Sequence, residues 1–194
     1  VREVGAEWLG LQALQELQLE KFLSERDWAE SEINLALTQI ISRAIYPASE
    51  LKTSKWIKEN SALCELTNYP IEIITKDKLY NSALKLYSIK DELEKFLSVK
   101  TNELFDLQDK IYLYDLTNTY FEGEKRNSRL AKFGRSKEKR SDAKLVVLAI
   151  VVNTEGFIKF SSIYQGNMAD SKTLSATIDS LRASTSATSN KAII

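Results

Sequence analysis

The chain has 194 residues, 43% of them hydrophobic and 28% charged, which suits one or two globular domains with enough apolar material for a core. Histidine is absent and Cys64 is the only cysteine, so disulfides within the chain, a Cys/His zinc site and histidine-based acid–base chemistry are all excluded. The formal net charge is zero, yet residues 1–110 carry 14 Lys/Arg against 19 Asp/Glu while residues 111–194 carry 13 against 8, so the two halves differ by ten units of charge.

Residues 1–109 read as helical almost throughout. Apolar residues at Trp8, Leu11, Leu14, Leu17, Leu19, Phe22 and Leu23 approximate the helical period. A second helix is predicted from Asp27 to Ile45, with Pro47 just past its end, and shorter ones over Ser49–Glu59 and Lys76–Tyr87 on either side of a loop at Thr67–Pro70. Ser88 and Asp91 have the spacing of a capping pair for a helix reaching about Leu107, with Leu93, Phe96, Leu97, Leu104 and Phe105 on its apolar face. A helical bundle with charged outer faces accounts for this half.

After Asp109 the period changes to that of strands. The run from Ile111 to Gly123, IYLYDLTNTYFEG, is β-branched and aromatic, and Asp115 interrupts it. Alternation puts Ile111, Leu113, Asp115, Thr117 and Thr119 on one face, so the carboxylate is expected to project from a rigid platform near the strand's end. Two readings stay open at this point: an edge-strand Asp that caps a turn, or a ligand for Mg²⁺ at a phosphodiester-processing centre. Thr117, two residues along the same face, is placed to orient it. Nine basic and two acidic residues follow between Lys125 and Lys144, a net charge of +7 in twenty residues. Leu145–Val152 is an apolar run suited to a strand buried on both faces; Asn153–Gly156 is a turn, and Phe157–Tyr164 the returning strand. Asp170 or Ser171 caps a helix with Leu174, Ile178 and Leu181 on one face, Ser184–Asn190 is a polar loop, and Lys191–Ile194 begins another strand. No apolar stretch reaches the ~18 residues a membrane span needs and no signal peptide opens the chain, from which a cytoplasmic location is expected.

The order of elements is that of an α+β protein whose second part opens like a ribonuclease H-like fold, with an acidic residue on the first strand and the fourth strand returning beside it. Order alone fits several folds. The residues carry a narrower likeness. Tyr114–Gly123 (YDLTNTYFEG) resembles the first-aspartate motif of bacterial insertion-sequence transposases of the DDE class, in insertion-sequence family four. Phe133–Asp142 (FGRSKEKRSD) resembles the basic block that follows it, and Gly166–Leu174 (GNMADSKTL) the segment entering the family's next helix. The likeness covers roughly residues 110–194.

That resemblance implies residues 1–109 as a helical region for DNA-end binding or assembly, and residues 110–194 as the first part of a catalytic domain with a mixed β-β-β-α-β sheet. It implies a nucleoid-associated enzyme that cleaves a phosphodiester at the ends of a mobile element and joins the freed 3′ hydroxyl to target DNA, using two Mg²⁺ or Mn²⁺ ions. Asp115 maps onto the first of three metal-binding carboxylates. The second is expected after the strand beginning at Lys191 and the third on a later helix, so a fragment is expected, inactive in DNA cleavage on its own. Partners implied are double-stranded DNA, as transposon ends and target, and a second copy in a homodimer on DNA; no membrane is involved. Lys132, Arg135, Lys137, Lys139 and Arg140 are expected to track the DNA backbone, where basic side chains supply sequence-independent affinity, and Phe133 is expected to pack onto the sheet, the alternative being to stack on a flipped or frayed base. Gly123 and Gly166 read as turn glycines. Two alternatives remain: a non-catalytic, DNA-binding regulator of transposition, and a ribonuclease H-like nuclease that transposes nothing.

Overall fold

The computed structural model describes residues 2–107, 111–122, 127–134, 142–168, 173–174, 177–179 and 192–193. The chain is α+β, helices first and strands after, and it divides into two compact units, Val1–Lys90 and Asp91–Ile194. Among the described residues no helix is long and apolar enough to cross a membrane.

The first unit contains helices α1 (Gly5–Glu16), α2 (Leu19–Ser24), α3 (Glu30–Ile45), α4 (Glu50–Asn60), α5 (Leu63–Leu66) and α6 (Lys76–Ser88), with a 3₁₀ turn at Ile71–Ile73. The single helix expected across Trp8–Leu23 is two, because Gln18 adopts a left-handed φ of 56° that ends α1 and starts α2. Asp27 at φ 56° likewise delays α3 to Glu30, where Glu32 accepts a hydrogen bond from the Ala29 N–H at 3.0 Å and satisfies a donor at the helix start. Ser49 and Thr75 cap α4 and α6. The short α5 and the 3₁₀ turn lie around the expected Thr67–Pro70 loop, too brief for any periodicity to reveal. Leu35, Ile57, Cys64, Tyr69, Ile74 and Leu79 form the core, with Trp56 and Ile71 packed against it. Glu7 is buried in α1, where its Oε1 accepts from the Ser61 hydroxyl at 2.7 Å and its Oε2 has no partner.

Burial pushes the Cys64 thiol up to about 11, reinforced by the charges of Glu65 and Glu72.

The second unit joins helix α7 (Lys90–Phe105) to strands β1 (Ile111–Tyr120), β2 (Leu145–Asn153), β3 (Ile158–Gln165) and β4 (Ala192–Ile193). The sheet order is β3-β2-β1-β4, with the first three antiparallel and β4 parallel to β1. Ser88 does not cap α7 but closes α6, its hydroxyl donating to the Lys85 carbonyl at 2.6 Å. No residue of α7 is buried, and the expected apolar stripe leaves Leu104 and Phe105 exposed. Polar bonds hold this helix to the outer strand β3 instead. Glu94 accepts from both the hydroxyl and the backbone N–H of Ser161, Lys159 donates to Asn102 at 2.6 Å, and Phe105 meets Phe157 at 5.1 Å between ring centroids. Taking the Ser161 N–H also occupies a donor on the sheet's edge.

β2 is not buried on both faces. Its residues alternate between buried and half-buried from Leu145 to Asn153, because one face receives Tyr112, Phe160 and the helical turns at 173–174 and 177–179 while the other is only partly covered. Those turns rest on the sheet through hydroxyls; of the expected apolar face, Ile178 is half-buried and Leu181 lies outside the described residues. Thr173 and Thr177 are buried, and they bond to the Tyr114 and Tyr164 hydroxyls at 3.0 and 3.1 Å, while Leu174 is exposed. The helix-capping residues Asp170 and Ser171 lie outside the described residues.

Two expected outcomes follow from these cores. Leu79→Ala should cost about 2–5 kcal/mol in denaturant titrations, the range for emptying a fully buried leucine site. Cys64 should resist a thiol reagent such as dithiobis-nitrobenzoate at pH 8 while the chain is folded and react promptly in denaturant, because burial disfavours the thiolate; rapid reaction of the native protein would contradict the packing described.

Candidate functional site: the open face and basic end of the sheet

Asp115 lies on β1, which has β2 on one side and β4 on the other. It is the fifth residue of a ten-residue strand, so it projects from the middle of the strand rather than near its end, because the ladder with β2 runs without interruption to Tyr120. Leu113, Asp115, Thr117 and Thr119 are all exposed, whereas Tyr112 is buried and Tyr114, Leu116 and Asn118 are half-buried, the alternation a pleated strand imposes. Directly opposite Asp115 on β2 is Ile150, and beyond it on β3 is Ser161. Thr117 donates its hydroxyl to Asp115 Oδ2 at 3.3 Å, a long bond that restrains the carboxylate on the open face.

β4 enters beside the beginning of β1. Ala192 pairs with Ile111 and Ile193 with Tyr112. In this parallel register the position that would lie beside Asp115 is the third after Ile193.

The described residues contain no group of three or more acidic or thiol side chains able to hold a metal ion. Asp115 and the Thr117 hydroxyl can serve as one side of a Mg²⁺ site, since that ion keeps several waters and takes few carboxylates, but they do not by themselves make a two-ion centre. Glu122 is exposed just past the end of β1, farther along the strand direction from Asp115 than Tyr120 is.

Lys132 of the basic segment lies at the far end of the same sheet. Lys132 pairs with Leu145, exchanging hydrogen bonds of 3.1 and 2.9 Å, and so takes up the ladder where β3 has ended at Gln165. Leu145 is also the partner of Tyr120, five residues beyond Asp115. At about 3.4 Å per residue the separation along the strand is roughly 17 Å, comparable to five nucleotides of one DNA strand. Of the residues expected to follow the DNA backbone, Lys132 is half-buried at this position, and Arg135, Lys137, Lys139 and Arg140 lie outside the described residues.

Two glycines make the junction possible. A Cβ on Gly134 would stand 1.8 Å from the Gly166 carbonyl oxygen, and one on Gly166 would stand 2.1 Å from the Leu145 oxygen and 2.6 Å from that of Lys132. Gly166 N–H meanwhile donates to the Leu130 carbonyl at 3.2 Å. Gly166 is therefore required by backbone crowding and not, as the sequence suggests, by a turn alone. Gly123, the other expected turn glycine, lies outside the described residues.

Phe133 does not pack onto the sheet. It is 58% exposed, with the Lys144 ammonium 5.9 Å from its ring centroid, because its two neighbours are both committed to backbone contacts that turn its side chain outward. The exposure matches the less favoured of the two placements the sequence offers, whose signal is the density of basic residues around an isolated aromatic.

Gly166→Ala is expected to cost about 1–3 kcal/mol by forcing backbone apart at the sheet's end, while Asp115→Asn should change stability by no more than about 0.5 kcal/mol, as measured by denaturant unfolding. A large loss for Asp115→Asn would make that carboxylate a structural cap. The chain matches no protein-family model, no curated protein and no solved structure.

Proposed function

We propose that this chain is part of a DDE-class transposase with a ribonuclease H-like catalytic core, and that it acts on the double-stranded DNA of an insertion sequence. One observation carries the reading: the exposed carboxylate of Asp115 stands on the strand between an antiparallel β2 and a parallel β4, within the motif that resembles the family's first aspartate. A parallel strand entering beside β1 is the arrangement in which a later carboxylate can be brought level with Asp115. The net charge of +7 between Lys125 and Lys144 supports DNA as the partner, because neutralising phosphates releases counterions irrespective of sequence.

In this reading Asp115 is one ligand of a Mg²⁺ or Mn²⁺ pair, Thr117 restrains it, and the basic segment holds DNA backbone several nucleotides away. The protein acts as a homodimer on DNA, in the bacterial nucleoid. A second reading rests on the basic segment alone, whose net charge of +7 serves DNA binding without any cleavage: a chain that binds transposon ends without cutting them and regulates the process.

Salt-dependent DNA binding tests the partner. The logarithm of the affinity for duplex DNA should fall linearly with the logarithm of salt concentration, and replacing Lys132, Arg135, Lys137, Lys139 and Arg140 together with alanine should flatten that slope by roughly one for each phosphate no longer neutralised. An unchanged slope would remove the DNA-tracking role. The chain by itself is expected to show no Mg²⁺-dependent strand cleavage; cleavage that disappears in Asp115→Ala would instead establish a complete active centre and exclude the regulatory reading.

A further inference from the structure

We infer that Phe133 is a stacking platform for an unpaired nucleic-acid base, with Lys132 and Lys144 meeting the phosphates on either side. The proposal takes its polymer from the DNA-binding reading above but does not need transposition chemistry. More than half of the Phe133 surface is open, at 58% exposure, although the chain has buried positions for other aromatics such as Tyr112 and Phe22. The ring is not on a swinging loop. Lys132 on one side is fixed by its pair of hydrogen bonds to Leu145, and Gly134 on the other lies where any added Cβ would strike the Gly166 carbonyl. Rigid backbone on both sides lowers the ordering cost of engaging a ligand.

The surroundings favour a nucleotide over an apolar protein surface. Leu130 and Met168, at 41% and 37% exposure, supply some apolar surface on the segments that meet here, but the cations around them dominate. Arg129, Lys132 and Lys144 belong to a stretch with nine basic residues and two acidic ones, and the Lys144 ammonium is 5.9 Å from the ring centroid. An aromatic face beside lysines is the pairing that binds single strands, because every base has a π-face and every nucleotide a phosphate. A fully paired duplex hides its base faces, so the ring discriminates in favour of frayed, gapped or single-stranded DNA.

The purified chain is titrated with oligo-dT, with a blunt duplex, and with a duplex carrying one unpaired 2-aminopurine. Phe133→Ala should weaken binding to the two substrates with unpaired bases roughly ten- to hundredfold and leave the blunt duplex within about twofold. Phe133→Trp should bind like the parent chain, whereas Phe133→Leu, which keeps apolar area but not the aromatic face, should behave like alanine. Quenching of 2-aminopurine emission should accompany binding of the parent chain and vanish in the alanine variant. Equal losses on all three substrates, or a leucine variant as good as phenylalanine, would overturn the assignment. Binding to all three substrates that is unchanged by Phe133→Ala overturns it while leaving the DNA reading intact, and absence of all nucleic-acid binding overturns both. A change in self-association on Phe133→Ala, with nucleic-acid affinity unaltered, would give the ring to a protein interface and also overturn it.

Discussion

The antiparallel register between β1 and β2 is the constraint on which the second unit depends. Nine consecutive residue pairs, from Tyr112 with Asn153 to Tyr120 with Leu145, fix which side chains of β1 face outward, and a slip of one residue would send Asp115 to the buried face. The penalty for such a slip is large on both faces. It would expose Tyr112 and Tyr114, which pack against Val151 and Phe160, and it would bury a carboxylate with no cation to meet it. Alternation therefore specifies the position of Asp115 more firmly than its single bond to Thr117 does.

The same register determines the relation between the acidic and basic parts of the sheet. Leu145 begins β2 opposite the last residue of β1, and Lys132 takes the vacant side of Leu145 once β3 has ended. Lys132 of the basic segment is thus tied by backbone hydrogen bonds to a rigid strand end. Its position relative to Asp115 does not depend on side-chain contacts, and both Gly134 and Gly166 are needed because the three backbones come closer there than any Cβ allows.

Much of the layout was legible in the sequence, for identifiable reasons. Helix α3 follows from its long apolar period, α4 and α6 from shorter helical stretches on either side of a loop, β1 from alternation, and β2 and β3 from a continuous apolar run and its return after Asn153–Gly156, where Gly156 has a φ of 88°. What escaped was set by single-residue conformation or by tertiary chemistry. Nothing in the local pattern says that Gln18 and Asp27 turn left-handed, so a helix break and a late helix start were invisible. The leucines of α7 suggested burial, yet Glu94 and Asn102 make its attachments to β3; polar residues on an amphipathic helix are ordinarily assigned to solvent, and periodicity has no means of telling the two cases apart. Phe133 was misplaced for a related reason: hydrophobicity favours burial on average, but the crowding of Gly134 against Gly166 is decided by residues distant in sequence.

The threonine-faced attachment after β3 fixes how the helical turns sit along the sheet. Thr173 and Thr177 are one helical turn apart and engage Tyr114 and Tyr164 on different strands, so the two hydroxyl pairs act as a vernier. A greasy interface would tolerate sliding along the sheet, whereas paired hydroxyls on two strands hold these turns at a single height.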